Sequence, residues 1–283
     1  MCSATHDING CPFLIGTSGF SYQEWIDSGF YPKKTKSAHM LELYSRSFSL
    51  VELNYTWYQM VRAEAMERML TRVGDDFYCT AKLTRTMTHD IADNWPAQAE
   101  LYSRGIAPLM SSGRLLAVLI QFPPSFRRTT GNRQYLARLF DRLQKLPLAV
   151  EFRHRSWARE RVYSGLRDRG VTMVTVDAPA LPDLFPALDI ITNPSLFYLR
   201  LHGRNGRDWY CGTMQKQFNY CYSEQELRGW VERIQNNPAM GSRCRRGIIV
   251  FNNHVAGQAV NNGRTMACLL EQQAGPMAGT EKE

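Results

Sequence analysis

Hydrophobic and polar positions alternate between two rhythms along the chain. Short runs rich in β-branched and aliphatic residues fall at 13–17, 50–54, 77–82, 115–121, 148–152, 172–177, 196–201 and 248–252, and read as eight strands. Between them lie amphipathic stretches at 38–47, 63–72, 97–110, 132–144, 159–169, 224–236 and 257–270, which read as helices. Strands that alternate with helices from end to end predict a parallel sheet with crossover helices. Eight such units predict closure into a single α/β domain, a (β/α)8 TIM barrel, with an open doubly wound sheet as the alternative. The sixth connection breaks the rhythm. Pro179, Pro182 and Pro186 lack amide donors and clash with a preceding helical turn, so an extended segment with at most one short helix is expected there. Ser37 and Ser223 are expected helix caps, and Glu226 completes a capping box with Ser223.

Length agrees with this picture, since 283 residues match the roughly 250 that one such barrel needs. The domain is expected over 13–272, with a mobile leader at 1–12 and a mobile tail at 273–283. No apolar run reaches the roughly 20 residues that span a bilayer. His6 and Asp7 stand where a signal peptide would be apolar, so a cytoplasmic protein with no membrane partner is expected. Seven cysteines without a Cys-x-x-Cys pair read as reduced thiols, and a site built from Cys211, Cys221 and Cys244 lacks the tight spacing of a metal knuckle.

The net charge of +8 favours anionic partners, phosphate-containing small molecules first and nucleic acid second. Of the 34 basic residues 27 are arginines, whose planar fork suits phosphate and carboxylate, although genomic composition produces the same excess.

In a parallel barrel the carboxyl ends of the strands share one face, and here they are consistently polar. Period-two alternation puts Glu52 with Asn54, Glu151 with Arg153, and Arg200 with His202 on common sides, pointing inward if Leu53, Phe152 and Leu201 face the helices. Buried charges need partners or a purpose. One reading is a structural ion network closing the barrel top. The other is a substrate site in which Glu52, Lys82, Glu151 and His202 carry the chemistry. Ser18, Tyr22, Asn54, Gln121, Arg153, His154, Arg200, Arg204, Asn252 and Asn253 would then bind substrate. The 16–19 turn and the 203–207 loop are expected anion cradles, together with the region around Gly257. Tyr22, Trp25, Tyr55, Trp57, Tyr58, Trp157, Trp209 and Tyr210 could stack on a ring, about half of them merely packing loops.

No cofactor is expected and no metal site is assigned. A divalent metal held by some of His89, Glu151, His154, Asp177, His202 and His254 is the lesser reading, since no metal-type spacing links them. Nucleophile elbow, P-loop and dinucleotide fingerprint are all missing.

Six strings together resemble one known family. They are Ile-Gly-Thr-Ser-Gly-Phe-Ser-Tyr-x-x-Trp (15–25), Val-Glu-Leu-Asn (51–54), Gln-Phe-Pro-Pro-Ser (121–125), Glu-Phe-Arg-His-x-Ser-Trp (151–157), Arg-Leu-His-Gly-Arg (200–204) and Phe-Asn-Asn-His (251–254). They resemble the YecE-like family, domain of unknown function 72, over about residues 13–270. The resemblance implies a TIM-barrel fold and a site at these strand ends, and no settled activity. Two positions depart from the pattern: Tyr55, expected to narrow the mouth, and Asn219, where an acid is usual. The expected function is an enzyme, a hydrolase, lyase or isomerase, acting by acid–base chemistry on an anionic, phosphorylated or sugar-like substrate. The alternatives are a metal-assisted phosphoesterase or endonuclease on nucleic acid, and a non-catalytic nucleic-acid-binding module.

Overall fold

The computed structural model describes residues 5–210, 212–240 and 244–273. The strands are β1 (His6–Ile8), β2 (Cys11–Ser18), β3 (Leu50–Leu53), β4 (Tyr78–Lys82), β5 (Leu115–Gln121), β6 (Leu148–Glu151), β7 (Thr172–Met173), β8 (Thr175–Asp177), β9 (Phe197–Leu201) and β10 (Gly247–Phe251). From β2 onward all pairings are parallel, in the order β7-β6-β5-β4-β3-β2-β10-β9-β8. The protein is a mixed α/β fold around a nearly closed barrel of nine parallel strands.

Nine strands appear where eight were expected because the run at 172–177 divides at Val174. Its first half pairs with β6 and its second half with β9, so this run bridges the seam of the barrel. The Val174 amide still donates to Val150 O at 2.9 Å. Every residue of β3, β6, β9 and β10 is buried, as parallel strands covered on both faces require.

All seven expected helices are present, the longest being Trp95–Ser111 and Gln258–Gln273. Short helices at Glu24–Asp27, Tyr55–Tyr58 and Met214–Gln217 sit in loops after β2, β3 and β9. The segment 178–196 contains no helix, as its prolines dictate. Ser223 caps Glu224–Gln235 with the full reciprocal box to Glu226. Ser37 does not cap its helix. It is the first helical residue, after Lys36, and its hydroxyl accepts from Gln23 Nε2 at 3.1 Å.

The leader contributes an element that the hydrophobic pattern did not indicate. Antiparallel β1 pairs Ile8 with Cys11 across a two-residue turn, Asn9 and Gly10, with φ of 53° and 80°. These positive values define a turn that Asn-Gly favours. The tail from residue 274 lies outside the described residues, as does Cys211. Cys11, Cys79, Cys221 and Cys244 are thiols outside any disulfide. Among the described residues no helix is long and apolar enough to cross a membrane.

Candidate functional site

At the carboxyl ends of the strands a buried ion network meets an open cleft. Arg200, on β9, is fully buried and binds Glu52 of β3 through Nε (2.8 Å) and Nη2 (2.5 Å), and Glu151 of β6 through Nη1. Glu52 also accepts from the hydroxyls of Ser18 and Tyr198. Asn54 Nδ2 reaches Ser18 Oγ at 2.9 Å, and Thr80 meets Tyr198 at 3.0 Å. Glu151 accepts from Arg153 Nε and lies 3.3 Å from His202 Nε2. His202 Nδ1 is 3.0 Å from Asn252 Nδ2.

Opposed charges set the protonation states. Burial pushes the Glu52 carboxyl up, but Arg200, Lys82 and the hydrogen bonds outweigh it and hold the group below its usual range. Glu151 is driven further down, since burial there is opposed by Arg153, Arg200 and His202. Burial and the neighbouring Arg153 lower His202 to about 3 against the pull of Glu151, so its imidazole is neutral at pH 7. With Nδ1 accepting from Asn252, the ring proton sits on Nε2 toward Glu151.

Beside this network opens a cleft of about 730 Å³. Strand ends contribute Asn54, Lys82, Gln121, Arg153 and Asn252, and the loops above them contribute Tyr22, Trp57, Tyr58, Trp209 and Tyr210. Lys82 is the last residue of β4, and its ammonium forms no hydrogen bond or ion pair among the described residues. Burial, reinforced by Arg200 and Arg153 and opposed by Glu52 and Glu151, lowers its ammonium to about 8. Arg153 lies 5.8 Å from the Trp209 ring centroid in a cation–π arrangement. His89 also lines the cleft, accepting from Trp57 Nε1 at 3.3 Å, and burial followed by Lys82 lowers it to about 4.

Three residues expected to bind substrate are placed elsewhere. Arg204 clasps Asp177 (Nε 2.9 Å) and Glu226 (3.0 Å), tying the end of β8 to the helix Glu224–Gln235. His154 turns away from the cleft to Ser156, 2.9 Å from its Nδ1. Asn253 donates to Tyr220 O and Asn262 Oδ1, both at 2.8 Å. Ser18, Glu52, Glu151, Arg200 and His202 lie beneath the cleft inside the network.

The expected anion cradles are also committed internally. Gly16 is a strand residue whose missing side chain lets β2 approach the Leu50 carbonyl, and the Gly19 amide donates to Glu52 O at 2.9 Å. The Gly203 amide donates to Tyr222 Oη at 2.8 Å. At Gly257, φ is 75° and the amide donates to His254 O at 3.3 Å. Of the other aromatics, Trp25 donates to His254 O, Trp157 stacks on Phe126 and Phe152, and Tyr55 packs on the core with its hydroxyl by Met66, so it does not narrow the mouth. Asn219 accepts from Gln258 at 2.9 Å.

The sequence reading missed Tyr198, Glu24 and Phe218. Tyr198 shares the period-two face of Arg200 and His202, a signal that was available. Glu24 lines the cleft and is 3.0 Å from His254 Nδ1. Phe218 lines it from a loop with no strand rhythm to place it. Among the described residues no three His, Cys, Asp or Glu side chains converge as metal ligands would.

The model of the family "Protein of unknown function DUF72" matches residues 14–283. The UPF0759 protein YunF of Bacillus subtilis is 28% identical over 272 residues, 91% of this chain and 94% of its own. A solved DUF72 family protein from Thermotoga maritima is 36% identical with a TM-score of 0.82, covering 92% of this chain and 99% of that one. Another, from Enterococcus faecalis, has a TM-score of 0.81 at 24% identity, over 92% and 95% of the two chains, a likeness of fold. With a match across nearly its whole length, the chain belongs to the DUF72 family.

Proposed function

We propose that this protein is an enzyme acting on an anionic, phosphorylated or sugar-like substrate by acid–base chemistry at the mouth of a (β/α)8 barrel, β7 and β8 being halves of one strand. The observation that carries the reading is Lys82, a cation without a counterion among the described residues, at a cleft it shares with Arg153. The two carboxylates and two arginines of the network balance one another, so a protonated Lys82 is its surplus charge. An anion entering the cleft would supply the missing partner.

Roles divide by access. Glu52, Glu151 and Arg200 are saturated with one another and set the field, whereas Lys82, with a pKa of about 8, gives or takes a proton near neutral pH. Asn54, Gln121 and Asn252 offer neutral donors and acceptors to hydroxyls. The nucleic-acid readings rest on net charge alone, and a metal-assisted route has no convergent ligand set among the described residues.

The test is the melting temperature of wild type and Lys82→Met with ribose 5-phosphate, glucose 6-phosphate and inorganic phosphate. A ligand at a hundred times its Kd stabilises by about 2.7 kcal/mol. Wild type should melt higher with a sugar phosphate, and Lys82→Met should lose the shift. Equal shifts in both proteins, or none in wild type, would sink the reading.

A further inference from the structure

We propose that Lys82 is a covalent anchor whose ε-amine condenses with the carbonyl group of a substrate that also carries a phosphate or carboxylate. The proposal rests on the anion-binding reading of the same cleft and adds a substrate class, anionic aldehydes and ketones.

Three observations converge on it. Lys82 ends β4 facing the cleft, and no described residue forms an ion pair or hydrogen bond that would lock its nitrogen away. Arg153 shares the cleft; its Nε binds Glu151, and its Nη1 has no hydrogen-bond partner among the described residues. The cleft therefore offers an amine for a carbonyl carbon and a guanidinium edge for the anionic end of the same molecule. Burial, reinforced by Arg200 and Arg153 against Glu52 and Glu151, also opposes protonation of the amine. At about 8 its neutral fraction at pH 7 exceeds that of an ordinary lysine roughly 300-fold.

The step balances without an oxidant or reductant. The nitrogen lone pair attacks the carbonyl carbon, the carbon–oxygen π pair moves to oxygen, and a proton passes from nitrogen to oxygen to give a carbinolamine. The hydroxyl then leaves as water with a second proton, and the carbon–nitrogen double bond closes as an imine.

Intact protein would be incubated separately with dihydroxyacetone phosphate, pyruvate and glyoxylate at pH 7 to 8.5. Sodium borohydride would reduce any imine, and peptide mass spectrometry would locate it. The chain has seven lysines, and Lys33, Lys34, Lys36, Lys145 and Lys216 are exposed internal controls. The expected result is a reduced adduct concentrated on Lys82 with at least one probe. Lys82→Arg, which keeps the cation without the amine, should lose the adduct. Labelling spread over the exposed lysines, or none at Lys82, overturns the imine. If wild type still shows the sugar-phosphate thermal shift in that case, the acid–base reading stands, and if it is also missing, both fall.

Discussion

Arg200 pairs with both buried carboxylates of the network and has no access to solvent. Its guanidinium spans Glu52 and Glu151, on strands three places apart in the sheet, so it cross-links the barrel interior. Removing one member of such a set leaves buried charge without a partner, at about 3–5 kcal/mol. Arg200→Met is expected to lower the unfolding free energy from urea titration by that amount, and a loss under 1 kcal/mol would show that the network relaxes freely. Two neighbours tie stability to pH. His202 has a folded pKa near 3 against 6.5 for a free histidine. The unfolded chain therefore binds the extra proton between those values, and this contribution to stability is full above 6.5 and lost as pH falls toward 3. Lys82 works in the same direction in another window. Its folded pKa is about 8 against 10.5, so the unfolded chain holds more protons there and stability rises with pH from about 8 to 10.5. Urea titrations should show wild type losing stability faster than His202→Gln below pH 6.5, and gaining on Lys82→Met above pH 8. Parallel curves would refute both assignments.

Elements show where sequence rules suffice and where they fail. In the helix Trp95–Ser111, Gly105 would gain helix propensity as alanine, by about 1 kcal/mol on an exposed face. Here a Cβ at that position would collide with the Val61 carbonyl oxygen, because the preceding helix, Ala63–Leu70, packs closely at this point. Gly105→Ala is therefore expected to destabilise by about 1–3 kcal/mol, the opposite sign, as measured by thermal or urea unfolding. Strand and helix identities were legible because short, nearly continuous aliphatic runs alternate with stretches of 3.6-residue period. The strand β1 was missed although Asn9-Gly10 signals a hairpin, since three residues, His6–Ile8, are too few for an apolar rhythm. The break at Val174 was illegible, because it reflects which neighbour each half of the run meets. The period of two along a strand explains the site. Glu52, Glu151, Arg153, Arg200 and His202 are in phase and meet, whereas His154 shares the phase of Phe152, and Asn253 that of Phe251, and both lie off the cleft. Arg204 failed for another reason. Its partners Asp177 and Glu226 come together only through tertiary packing, which no local pattern encodes.

At the scale of the whole molecule, the cleft is a product of barrel closure. Trp57 follows β3 and Trp209 follows β9, each preceding a tyrosine, and closure of the sheet brings both pairs to one cavity. Tyr58 and Tyr210 remain 57% and 61% exposed, unusually open for aromatics at a packed barrel face. Aromatic faces suit the apolar side of a sugar ring or another flat group. Lys82 and Arg153 suit an anion, and this division of chemistry predicts a division of affinity. Trp209→Ala removes an aromatic wall and the ring that Arg153 approaches. It is expected to weaken ribose 5-phosphate binding about tenfold, the equivalent of a 1.4 kcal/mol stacking contribution, while changing inorganic phosphate binding much less. Titration calorimetry with both ligands on wild type and Trp209→Ala measures the difference directly. Equal weakening for both would mean that Trp209 acts by positioning Arg153, and the aromatic loops would then be a scaffold for the cation rather than a surface for the ring.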